Sequence, residues 1–174
     1  MSDDFAHHLR IDHIRDGDRL DLVAGEAERE AIAKRLDLPS IGRLDAHAVL
    51  SRKGQVVEAH GRVLASLEQA CVVTGEPVPA HVDEPFDIAF TPEPEPARSD
   101  EETELGASDC DVVFHDGSTI DLGSAIADTL ALALDPYPRS GAAEAALKEA
   151  GILNEEQAGP FAALAALKGS LDKS

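Results

Sequence analysis

Residues Asp116 to Arg139 set most of what this chain can fold into, because they hold a turn, a capped apolar helix and a proline stop in one unbroken run. Asp116-Gly117 is a tight-turn dipeptide, and Ser118 to Ile120 reads as a short strand. Asp121 follows where an N-cap belongs, with a carboxylate able to accept from the orphan N–H groups of a new helix. Leu122, Ile126, Leu130 and Leu134 then recur every fourth residue beside Ala125 and Ala133. That stripe predicts a core helix. Leu132 lies off it, which implies cover on a second side. Asp135-Pro136 stops the helix, since a residue before proline is pushed out of the helical region.

The rest of the chain reads as alternating strands around one more helix. Phe5 to Ile14 and Leu20 to Val23 give two strands separated by a turn at Arg15–Asp18. Glu26 to Asp37 reads as a helix, with acids in its first turn and bases in its last, as the helix dipole favours. Leu44 to Lys53 alternates, and a longer strand from Val56 to Cys71 sets Val57, Ala59, Val63 and Leu67 against Glu58, His60, Arg62 and Glu68. Such a pattern is half buried, as in an antiparallel sheet with one wet face. After a turn at Thr74–Pro77, Val82, Phe86, Ile88 and Phe90 share a face, while Pro79 and Pro85 imply an edge strand. Val112 to Phe114 opens a hairpin into the organising helix. The expected fold is α+β: an antiparallel sheet of about five to seven strands, able to curl toward a barrel, with two principal helices.

A single domain over residues 1–139 is expected, interrupted by a flexible acidic loop at 91–111, where prolines and glutamates leave little apolar surface to offset ordering entropy. Residues 140–174 make a helical tail, docked or mobile. No run approaches the ~20 apolar residues of a membrane span. Met1 to Phe5 is acidic where an export signal is basic, and the two cysteines lie far apart. These features imply a cytoplasmic protein.

Charge narrows the partners. Asp and Glu number 34 against 15 Lys and Arg, a formal net charge of −19. Nucleic-acid affinity comes largely from cations displacing counterions from phosphates, and no Lys/Arg-rich run exists here. Direct RNA binding is disfavoured, and a basic protein is the better electrostatic match.

Three stretches resemble the YceD family, a group of bacterial proteins with plastid relatives. They are Ile120–Gly123 with its helix and Leu134–Arg139, Cys71–Val78, and Pro160–Lys168. The resemblance implies a non-catalytic role in 23S ribosomal RNA accumulation and large-subunit biogenesis, with a basic protein of the ribosome-assembly pathway as partner. Two rivals remain: an acidic mimic of nucleic acid that uses the 91–111 loop, and a small metal-binding protein. Family members often carry a second cysteine where Thr74 stands here, so zinc-type ligation at Cys71 lacks its C-x-x-C pair.

No catalytic, cofactor-binding or metal-binding residue is therefore assigned. Cys71 and Cys110 read as structural or incidental. Of seven histidines, His47, His60 and His81 fall on strand positions that could share one sheet face, more often a solvated role than ligation. Asp116, Asp121 and Asp128 are explained as turn, cap and helix-surface residues. Tyr137 and Arg139, set among prolines, are the candidate partner-binding pair. A tyrosine held between prolines presents its ring at low entropic cost. The alternative is that Tyr137 packs over the helix end.

Overall fold

The computed structural model of the chain describes residues 5–93 and 111–151. It has an α+β architecture. A five-stranded sheet is built from β2 (Asp18–Val23), β3 (Ser40–Lys53), β4 (Val56–Ala70), β5 (Pro77–Pro92) and β6 (Asp111–His115), in that spatial order. A two-stranded sheet pairs β1 (His8–Arg10) with β7 (Thr119–Asp121). The helices are α1 (Glu26–Arg35), α2 (Leu122–Ala133) and the short α3 (Ala143–Glu149). The chain divides into two compact units, one holding Pro79–Pro136 and the residues up to Gln69, the other Ala70–Val78 and the chain from Tyr137 onward.

The first unit holds the main core. On β3, Leu44, Ala46, Ala48 and Leu50 are buried, as are Val57, Ala59, Val63 and Leu67 on β4, so the alternation read from sequence is the core-facing pattern. Ile32 and Ala33 of α1 and Leu122, Ile126 and Leu130 of α2 join the same cluster. With few aromatics, 3% of the chain, the core is aliphatic, and Phe90 is its largest fully buried side chain.

Several expectations are corrected. β1 covers only His8–Arg10 and gives way to a 3-10 turn at Ile11–His13. Leu132 is 80% exposed, not covered: two residues beyond Leu130 it lies about 200° around the helix, on the solvent side. Among the described residues the sheet is open, with β2 and β6 at its ends, so its curl stops short of a barrel. β5 is an edge strand only in part, because β6 pairs with it over Ile88–Pro92, beyond Pro79 and Pro85. That pairing is parallel, unlike the antiparallel β2–β3 and β3–β4 pairs. Thr91 and Pro92 thus end a strand and Asp111 begins one. Residues 94–110, which carry most of the expected acidic loop and Cys110, lie outside the described residues, as do 152–174 of the tail.

The hairpin expected at Val112–Ile120 does not form, since β6 joins β5 and β7 joins β1. Side chains at the turn occupy its backbone donors. Asp116 Oδ1 accepts from Ser118 N–H (2.8 Å) and Thr119 N–H (3.2 Å), and His115 Nδ1 accepts from Gly117 N–H (2.9 Å). Those N–H groups are the ones nearest to hand for a local ladder. Gly117, at φ +90°, carries the chain from one sheet to the other.

The Asp116 turn has a pH consequence. Hydrogen bonds from the Ser118 hydroxyl and the Ser118 and Thr119 backbone hold its carboxyl down to about 2, below the ordinary ~3.9. A lowered folded-state pKa stabilises the fold fully above the unfolded value, and that stability is lost as pH falls through the folded one. Asp116→Asn keeps an oxygen acceptor but not the charge. It should flatten the stability loss between pH ~4 and ~2 relative to the native chain. Urea melts of both proteins across that range check this, and parallel acid limbs would refute it.

Candidate functional site

The second unit contains a knuckle that ties two distant stretches together. Where β4 ends, Cys71 N–H donates to Glu76 O (2.8 Å), and Gly75 N–H, at φ +75°, donates back to Cys71 O (2.8 Å). Thr74 accepts from Glu76 N–H (3.3 Å) and donates from its hydroxyl to Glu76 Oε2 (3.1 Å). The stretch after α2 then docks on this loop. Val72 N–H donates to Pro138 O (2.9 Å), Ser140 N–H to Cys71 Sγ (3.3 Å), and the Ser140 hydroxyl to Glu76 Oε2 (3.0 Å). One glutamate oxygen thus receives two hydroxyls, one from each stretch.

Cys71 is buried, which raises a thiol's pKa, yet bonds from Thr74 and from Ser140 outweigh burial and lower it to about 6. Such a thiol carries more thiolate character than usual. Its sulfur is already an acceptor for Ser140, and Thr74 offers a hydroxyl where a soft second ligand would have to stand. Among the described residues no three His, Cys, Asp or Glu side chains group to hold a metal ion. The knuckle is a hydrogen-bonded clasp.

The clasp positions the candidate pair. Pro138 is buried and its carbonyl is anchored by Val72, while Tyr137 and Arg139 on either side are exposed, Tyr137 by 71%. A segment pinned at its middle residue offers its two neighbours without ordering a long loop on binding. Ser140, which completes the clasp, carried no signal in sequence: nothing local tells a serine that it will meet a cysteine 69 positions earlier.

In the first unit, the wet face of the sheet carries the strand histidines. His47 meets Asp21 (2.6 Å), His60 meets Asp87 (3.0 Å) and His81 meets the Ser66 hydroxyl (3.1 Å). Each has its own oxygen partner on a neighbouring strand. The three aspartates are equally separate. Asp116 closes its turn. Asp121 Oδ1 caps α2 through Ser124 N–H (3.1 Å) and also accepts from His7 N–H (3.0 Å), and Asp128 pairs with Arg35 (3.2 Å). Of the four histidines that sequence reasoning left unassigned, His115 alone is buried. Its Nδ1 accepts from Gly117, so its Nε2 hydrogen points to Gln55 O (2.9 Å).

Residues 59–168 match the model of a family described as large ribosomal RNA subunit accumulation protein YceD. The chain belongs to that family. The YceD match takes in the clasp, α2 and the Tyr137–Arg139 segment, whereas β1–β3 and α1 precede it. The family description points to accumulation of large-subunit ribosomal RNA. No curated protein and no solved structure matches the chain. Among the described residues no helix is long and apolar enough to cross a membrane.

Proposed function

We propose that this chain is a non-catalytic, cytoplasmic factor that supports 23S ribosomal RNA accumulation, and so large-subunit biogenesis, by binding a basic protein of the assembly pathway. The family match carries the process. The mode of contact follows from charge: at −19 the chain repels phosphates at long range and attracts a cationic protein. Five of its fifteen Lys and Arg are moreover engaged with carboxylates of the chain itself. Arg10 pairs with Asp12, Arg35 with Asp128, Arg43 with Asp45, Lys53 with Glu58 and Arg62 with Asp83. A phosphate would have to compete with a carboxylate at each. Cys71 Sγ accepts from Ser140 N–H inside the clasp, and both His115 nitrogens are bonded.

Affinity purification of the chain at low salt, with and without ribonuclease, tests this. Large-subunit proteins should be recovered after nuclease. Tyr137→Ala with Arg139→Ala should remove them, with a melting temperature within about 4 °C of the native chain, since surface substitutions seldom exceed ~0.5 kcal/mol each. Recovery that vanishes with nuclease would place the contact on RNA. Deletion cells with normal 23S RNA and subunit profiles would end the biogenesis reading.

A further inference from the structure

An open sheet has two edges, and this one guards them unequally. β2 turns Arg19 and Asp21 outward from an exposed strand that begins at Asp18, charges that discourage strand addition, and its one exposed apolar residue, Val23 (71%), stands alone at its end. β6 does the opposite. Val112 (41% exposed) and Phe114 (55% exposed) stand two residues apart on one face, while His115 is buried on the other. No strand among the described residues pairs with its outer edge. Phe114 also walls a cleft shared with His8, Phe90, Asp116 and Asp121.

The charge around this apolar pair is acidic. Asp111 opens the strand, Asp116 follows it, and Glu93 lies beside its end, where Glu93 N–H donates to His115 O (3.2 Å). A second copy of the chain would bring −19 against −19 and similar acids against each other, which disfavours self-pairing. We infer that the outer edge of β6 accepts an extended segment of a basic partner protein as an added strand, with Val112 and Phe114 contacting its apolar side chains and Asp111 and Asp116 its lysines or arginines. Main-chain bonds supply affinity in such an arrangement and alternate side chains supply selectivity. The inference rests on the protein-contact reading above and adds a second surface to it.

The probe is an acetylated, amidated peptide, Lys-Val-Lys-Val-Lys-Val-Lys, titrated into the isotope-labelled full chain. Amide signals of residues 111–115 should move most. A Lys-Ser-Lys-Ser-Lys-Ser-Lys peptide should bind at least about tenfold more weakly, and alternate N-methylation of the first peptide should abolish binding. Val112→Thr with Phe114→Thr, which keeps strand-forming residues at exposed positions, should weaken binding about tenfold without lowering the melting temperature appreciably. Equal binding of the serine peptide, shifts centred elsewhere, or dimerisation that moves the same amides without peptide would each overturn the inference. The ribosomal reading fails separately. If the peptide binds at β6 but deletion cells keep normal 23S RNA, the edge stands and that reading falls. If the Thr variant recovers large-subunit proteins as well as the native chain, the reading stands and the edge falls.

Discussion

Gly61→Ala is expected to destabilise the protein by roughly 3 kcal/mol, at the upper end of what one added methyl costs in a packed site. For a chain of this size that is a fall of about 6–12 °C in melting temperature. Gly61 stands opposite Ala48 in the β3–β4 ladder. A Cβ there would lie 1.9 Å from the carbonyl oxygen of His47 and 2.6 Å from Cζ of Phe86. The first neighbour is backbone in a paired strand, and the second is a buried ring, so neither yields cheaply. The methyl must part β3 from β4 or lift Phe86 off the sheet. Gly54 is the matched control: at φ +68° with nothing within 4 Å, its alanine variant carries a backbone penalty alone, about 1 kcal/mol. Thermal melts of both decide the matter. A Gly61→Ala protein that melts with the Gly54→Ala control would mean that Phe86 does not rest on Gly61.

In sequence, Gly61 is one unremarkable position in an alternating strand. This marks the limit of what the chain discloses locally. Alternation and capping are local properties, so β4, the buried face of β3 and the Asp121 cap of α2 can be read directly. What interrupts a period is harder. The inward set on β3 switches from Ile41 to Leu44 because the pairing register shifts between Ile41 and Arg43. A bulge of this kind flips parity, so the strand reads as starting late, at Leu44, although it begins at Ser40. Pairing partners are harder still. Nothing within Asp111–His115 says that it will lie parallel to β5, since its apolar residues would suit a hairpin equally well.

The site divides along the same line. Cys71, Tyr137 and Arg139 are visible as unusual residues in unusual settings. Their relation is not, because the bonds from Val72 to Pro138 and from Ser140 to Cys71 join stretches separated in sequence by β5, β6, β7 and α2. Proline spacing suggested that Tyr137 would be held, but the holding is done by the carbonyl of Pro138 accepting from the clasp. The family match supplies the process but not this geometry. The geometry in turn leaves Tyr137 and Arg139 exposed on either side of an anchored Pro138.

The organising helix gives the second large effect, and it corrects a sequence inference directly. Leu130→Ala should cost about 3–4 kcal/mol, because its side chain is fully buried in the common core and leaves a cavity that flanking strands cannot close. Leu132→Ala should change stability by no more than about 0.5 kcal/mol, because that leucine is 80% exposed and alanine is the better helix former. Both leucines look alike in a hydrophobicity profile. They differ only in angular position, and the difference in free energy should be several-fold. Urea denaturation with a common slope measures it. A large loss at Leu132 would mean that this face is covered in solution after all, by another chain or by residues outside those described. That cover should then appear as concentration dependence of the midpoint for a second copy, and as a change on truncation after Gly151 for the tail.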